Sequence, residues 1–198
     1  MVGRRLVCAS ANPDKVREIN EILASCGIIL EPRPSEIPDV DENAVTLEGN
    51  ARLKAVAIAD ATGSAALADD TGLEVEALGG APGVRSARYA GEPSDSAANI
   101  AKLLDELERI GASESSQRRA RFRTVVLVRW PDDPETVVEG IVNGVISHEP
   151  IGDGGFGYDS VFIPDEGDGR TFAQMDSAEK HAMSHRGRAL RALAEVLQ

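Results

Sequence analysis

Residues 6–27 constrain the fold more than any other stretch of this 198-residue chain. Leu6-Val7-Cys8-Ala9 is an unbroken apolar run of strand length. Asn12-Pro13 follows at once, an N-cap residue and a proline suited to the first helical position. Val16, Ile19, Ile22, Leu23 and Cys26 then fall on one helical face, and Gly27 ends the helix. A buried strand that feeds directly into an amphipathic helix is the opening unit of an α/β sheet.

The remaining pattern extends that unit. The Pro-rich, acidic stretch 32–42 reads as a loop. Thr46 can cap a second helix running to about Thr62, although Gly49 stands where a capping box would place Glu or Gln. Residues 65–69 read as a short strand that ends in Asp69-Asp70-Thr71-Gly72, 79–83 as a turn, and 94–110 as a third amphipathic helix. Residues 122–130 and 136–147 read as strands of an antiparallel hairpin joined by Pro131-Asp132-Asp133-Pro134. Residues 178–197 form the terminal helix, with a break near Ser184 if Lys180, His185 and Arg186 are to meet one ligand. No repeat or linker divides the chain, so the expectation is one α/β domain over residues 1–198 on a mixed sheet.

Charge narrows the partners. The 33 acidic residues against 21 basic ones give a net charge of −12, a field that repels a nucleic acid polymer. A small phosphorylated ligand is not excluded, because a few cations in one place outweigh distant charges that salt screens. Cys8 and Cys26 are too few for a disulfide framework and read as core residues in a reducing compartment. His148, His181 and His185 have no zinc-ligand spacing. Arg4-Arg5 precedes an apolar run too short for a signal peptide, and no stretch reaches the length of a membrane span, so a cytoplasmic location is expected.

Three segments carry candidate chemistry. Gly152 to Asp159 sets four glycines around Phe156, a bare backbone that can cradle anions beside a face on which a base can stack. Ser10-Ala11-Asn12-Pro13-Asp14-Lys15 joins a strand to a helix, where backbone N–H groups, the helix dipole and the Lys15 ammonium can converge on a phosphate; alternatively it is a plain cap with a solvated lysine. Asp69-Asp70 stands at a strand end, where neighbouring side chains point to opposite faces, so only one carboxylate can face a given cleft and the other is structural; alternatively the pair simply caps the turn. A carboxylate beside triphosphate oxygens requires a hard cation, and Mg²⁺ is the natural one, with Asp41, Glu42 and Glu48 as possible partners. Lys180, His185 and Arg186 supply further cations, with Arg85 and Arg88 after the Gly-Pro-Gly turn, whereas Arg188 and Arg191 read as a solvated face.

Ser10-x-Asn12-x-x-Lys15, Ala68-Asp69-Asp70-Thr71-Gly72-Leu73, the run from Gly79 to Tyr89, Gly154-Gly155-Phe156-Gly157-Tyr158-Asp159, and Lys180 with Ser184-His185-Arg186 together resemble the inosine triphosphate pyrophosphatase family, also called HAM1-like. The resemblance spans nearly the whole chain. It implies hydrolysis of ITP, dITP and XTP to the monophosphate and pyrophosphate with Mg²⁺, which would cleanse the nucleotide pool. It also implies a homodimer and an elongated mixed β-sheet flanked by helices, in two lobes with a central nucleotide-binding cleft. By position, Ser10 to Lys15 would bind the triphosphate, Asp70 would be the metal-linked general base, and Thr71 would touch substrate. Phe156, Gly157, Tyr158 and Asp159 would hold base and sugar, and Lys180, His185 and Arg186 would complete the base and phosphate contacts. The chain departs from the family in having Ser160 where proline is usual and Gly49 where an acidic residue is common. The second metal carboxylate aligns with either Asp41 or Glu42. A Maf-like pyrophosphatase of other base preference is the nearest rival, though it would lack the two C-terminal motifs; a nucleotide-binding regulator without turnover is the other.

Overall fold

The computed structural model describes residues 4–197. A seven-stranded mixed sheet has the order β2-β1-β3-β5-β6-β7, with β4 paired to β3. Its strands are β1 (Arg5–Cys8), β2 (Ile29–Glu31), β3 (Ala66–Val75), β4 (Pro82–Gly83), β5 (Arg119–Arg129), β6 (Thr136–Ile146) and β7 (Phe162–Pro164). The helices are α1 (Pro13–Ser25), α2 (Leu47–Thr62), α3 (Ser96–Arg109), α4 (Ser177–Met183) and α5 (His185–Val196). β1 runs parallel to β2 and β3, while β3–β4 and β6–β7 are antiparallel. The mixed α/β architecture expected from the strand–helix alternation is the one observed.

Two compact units divide the described residues. The first takes the chain up to Asp70, then Thr124–Gly140, then His185 onward; the second takes Thr71–Arg123 and Ile141–Ser184. In the first, the two-residue period of the strands sorts the core. Leu6 and Leu67 pack with Ile19, Leu23, Leu190 and Leu193, from α1 and α5. Val7, Ala66 and Ala68 pack instead with Ala51, Ala55 and Ile58 of α2. Helices cover both faces, which is why β1 is apolar at every position from Leu6 to Cys8 rather than alternating. The second unit is built on Leu73, Val75, Leu103, Leu107, Ile146 and three phenylalanines. The Phe122 and Phe162 rings lie 4.7 Å apart, and those of Phe162 and Phe172 5.2 Å apart.

Several expectations need correction. β3 does not stop at Asp69 but continues through Gly72 to Val75, because Leu73 and Val75 are buried and Leu73 pairs with Gly83. The stretch 79–83 is therefore not only a turn, since it also donates β4. The break expected near Ser184, by contrast, is present: Ser184 is extended (ψ 156°), so α4 ends and α5 restarts at His185. Cys26 is only half-buried, unlike Cys8. Arg188 and Arg191 are half-buried rather than fully solvated.

Candidate functional site

In the first unit, α1 starts where β1 ends. Asn12 caps it, its Oδ1 accepting from the N–H groups of Asp14 (2.9 Å) and Lys15 (3.2 Å), and Ser10 Oγ accepts from Asn12 N–H (3.3 Å). The N–H groups expected to be open for a phosphate thus already have side-chain partners. Ser10 is buried, whereas Ala11, Asn12 and Pro13 are exposed; Asp14 pairs with Arg17 at 3.3 Å. The Lys15 ammonium turns inward and lies 3.5 Å from Asp69 Oδ2.

Alternation along β3 gives Asp69 and Asp70 different partners. Arg186 donates from Nε (3.2 Å) and Nη2 (3.1 Å) to Asp69 Oδ2, and its Nη1 pairs with Glu18. Arg186 is 1% exposed, so it is embedded in this cluster rather than presented at a surface. Burial opposes ionisation of Asp69, but Lys15, Arg186 and Lys54 outweigh it and hold the carboxyl well below the usual carboxylate range. Burial also lowers Lys15, and Asp69 offsets this only in part. His185, the first residue of α5, is likewise buried.

Asp70 meets α2 instead. Asn50 Nδ2 donates to its Oδ2 (3.2 Å) and Lys54 Nζ to its Oδ1 (3.4 Å), while the same ammonium lies 2.8 Å from Glu42 Oε1. Burial pushes the Asp70 carboxyl up, and Lys54 and Lys15 counter it incompletely. Lys54 itself is penalised by burial, but Asp70, Asp69 and Glu42 keep it firmly protonated. Two carboxylates facing one ammonium are also a donor set for a hard divalent cation, whose remaining positions go to phosphate oxygens and water. Asp70 and Glu42 are thus the residues that could hold Mg²⁺. Asp41 is exposed, and Glu48 pairs with Arg52 at 2.6 Å, so of the three loop and helix carboxylates Glu42 alone shares a cation with Asp70. Among the described residues no group of three or more His, Cys, Asp and Glu could hold a metal ion, so a cation on Asp70 and Glu42 would take its other positions from water or phosphate.

The second unit carries the glycine loop. Asp159 Oδ2 accepts from Phe156 N–H (2.8 Å) and from Lys180 Nζ (2.6 Å), and both charged side chains are buried. At Gly155, φ is +68° and a Cβ would stand 2.2 Å from Asp159 Oδ2, so only glycine permits this closure. The Lys180 ammonium lies 4.9 Å from the centre of the half-buried Phe156 ring. Tyr158 is buried and donates to Ser86 O (2.9 Å), which ties the loop to the 83–89 turn; Gly157 has φ +62°. Thr71 is half-buried and directly follows Asp70 in β3. Arg85 is exposed and Arg88 pairs with Glu92 at 3.3 Å.

Sequence reasoning missed Asn50, Lys54 and Glu18. The signal for the first two was present: α2 buries Leu47, Asn50, Ala51, Lys54, Ala55 and Ile58 along one stripe, so an amide and an ammonium interrupt an otherwise apolar face at i, i+4 spacing. Buried polar groups of this kind require partners, and the carboxylates supply them. Glu18 carried no such signal, since its partner is 168 residues distant.

Comparison with known proteins identifies the family. The Ham1 family profile matches residues 6–196. A dITP/XTP pyrophosphatase of Streptomyces coelicolor is 44% identical over 98% of this chain and 97% of its own length, and one of Thioalkalivibrio sulfidiphilus is 48% identical over 98% of both. The structure of a HAM1 protein from Coxiella burnetii superposes with a TM-score of 0.87 at 41% identity, covering 98% of each chain. The profile match, the full-length relatives and the shared fold lead to one conclusion: this chain belongs to the Ham1 family.

Proposed function

We propose that this protein hydrolyses non-standard purine nucleoside triphosphates, the ITP, dITP and XTP class, to the monophosphate and pyrophosphate. The observation that carries the reading is the joint seating of Asp70 and Glu42 on Lys54, with Lys15 close by on Asp69. Water attacks the α-phosphorus, its oxygen forms the new P–O bond, and the bond to the departing pyrophosphate breaks. Asp70 takes the water's proton; a carboxylate whose pKa is raised by burial is the better base for that task. Lys15 and Lys54 set positive charge against the phosphate oxygens and the leaving pyrophosphate. Mg²⁺, held by Asp70 and Glu42, would add a second source of charge neutralisation when bound. Phe156 offers the stacking face for the base, and the Lys180 ammonium over that ring is a donor suited to the 6-oxo group of hypoxanthine or xanthine. Support for this substrate class comes from the dITP/XTP pyrophosphatases to which the chain is similar. The same reading gives the protein a cytoplasmic location and a homodimeric state; among the described residues no helix is long and apolar enough to cross a membrane.

Incubation with Mg²⁺ and a panel of ITP, XTP, dITP, ATP and GTP, followed by identification of the phosphorus products, tests the proposal. Pyrophosphate released chiefly from the first three is the expected result. Orthophosphate as the product, or equal turnover of ATP, would sink it.

A further inference from the structure

Asn50 joins two pieces of the chain that the reaction needs in register. It is wholly buried, one turn before Lys54 on α2, and both ends of its side-chain amide are engaged. Nδ2 donates to Asp70 Oδ2 (3.2 Å), and Oδ1 accepts from the N–H of Ala44 (2.9 Å), two residues after Glu42. The partners fix the amide's orientation: an ionised carboxylate only accepts and a backbone N–H only donates, so the amide cannot be flipped. No aspartate, leucine or alanine can serve both partners at once.

Beside it, Gly49 lets the same loop approach. A Cβ built on Gly49 would lie 2.6 Å from Ala44 Cβ and 3.1 Å from Thr46 Oγ1, and a methyl has no flexible end to swing aside. Only one of positions 44 and 49 has room for a side chain. The loop that carries Glu42 is thus anchored to α2 by a hydrogen bond at Asn50 and by close contact at Gly49. Asp70 is anchored to the same turn of the same helix.

We propose that Asn50 is a positioning residue, with Gly49 as its steric partner, that sets Glu42 and Asp70 at the spacing one divalent cation requires. The inference rests on the reading of these two carboxylates as metal ligands. Groups that orient metal ligands in this way commonly change metal affinity by about 10- to 100-fold when removed.

The test uses Mn²⁺ alone as the probe, titrated into the whole protein with the free ion followed by electron paramagnetic resonance; Asp70→Asn marks the signal that belongs to this site. Asn50→Ala and Gly49→Ala should each weaken Mn²⁺ binding by about 10- to 100-fold, and raise by a similar factor the Mg²⁺ concentration giving half-maximal turnover. Gly49→Ala is diagnostic because alanine is the better helix former, so a role for position 49 confined to helix propensity predicts no loss. Ala44→Gly with Gly49→Ala should restore wild-type Mn²⁺ affinity by clearing the collision. Unchanged Mn²⁺ affinity in either single variant, a loss that the double variant fails to reverse, or wild-type protein that binds no Mn²⁺ would each overturn the inference. If the nucleotide panel shows no turnover, the proposed function fails, yet the Mn²⁺ titration still decides this point.

Discussion

Asp69 and Asp70 are neighbours in sequence with opposite electrostatics, and their variants should separate cleanly. Asp70→Asn removes the proposed base and metal ligand, so turnover should fall by at least about 10² to 10⁴, the usual cost of losing a general base. Steady-state rates at saturating Mg²⁺ check this, and unchanged kcat would refute the assignment. Asp69 has its carboxyl held low in the folded state, so its stabilisation is complete above about pH 4 and is lost as pH falls through the lower folded value. Asp69→Asn should therefore cost stability at pH 7 and less and less on acidification below about pH 4. Urea melts across that range measure it, and a deficit independent of pH would show that the charge is not what stabilises. Arg186 was expected to contact the nucleotide, and the structure embeds it between Asp69 and Glu18. Arg186→Ala leaves both carboxylates buried without that partner, a loss of about 3–5 kcal/mol for a broken buried pair. The kcat/KM values for ITP, ATP and GTP should then fall together; a selective loss of ITP turnover would return Arg186 to base recognition.

Among the elements, α1 and α2 present the chemistry and do so by different means. α1 supplies a capped N-terminus, in which Asn12 takes the N–H groups of Asp14 and Lys15. Asn12→Ala should cost about 1 kcal/mol, as measured by denaturant midpoint, and a null effect would mean that the cap contributes nothing to the fold. α2 supplies a face, with Asn50 and Lys54 set among alanines. The existence of both helices was legible, because Asn12-Pro13 and Thr46 are start signals and Gly27 is a stop signal; the positive φ of Gly27 and Gly63 at the two helix ends agrees. The break at Ser184 was also readable from the spacing of Lys180 and His185-Arg186. The continuation of β3 to Val75 was not: Asp-Asp-Thr-Gly has the composition of a strand end, and only burial of Leu73 and its pairing with Gly83 carry the strand onward.

At the scale of the molecule, the cluster of the first unit concentrates Lys15, Lys54 and Arg186 within a chain of net charge −12. Local cations offset the overall field for a small anion, while a polyanion meets the repulsion of the whole surface. On the proposed function, a metal and a nucleotide that bind only the folded chain should stabilise it together. With Mg²⁺ and a non-hydrolysable ITP analogue at about 100 times the Kd, mass action adds about 2.7 kcal/mol, a rise in Tm of about 5–10 °C for a chain of this length. Thermal melts with each ligand alone should show much smaller shifts. Equal stabilisation by the ATP analogue would count against selection of the base at the binding step.

The sequence by itself determined the class of sheet, the order of its main elements and the segments that carry unusual chemistry, because strand and helix periods, caps and turn residues act over a few positions. Which charges meet was decided by tertiary structure alone. Asn50 reaches Asp70 across 20 residues, Lys180 reaches Asp159 across 21, and Arg186 reaches Asp69 across 117. A side chain's partners depend on packing that brings distant segments within about 3 Å, a distance that no local pattern encodes. Arg186 shows the consequence most plainly: its motif marked it for a ligand, and the fold buries it beside two carboxylates.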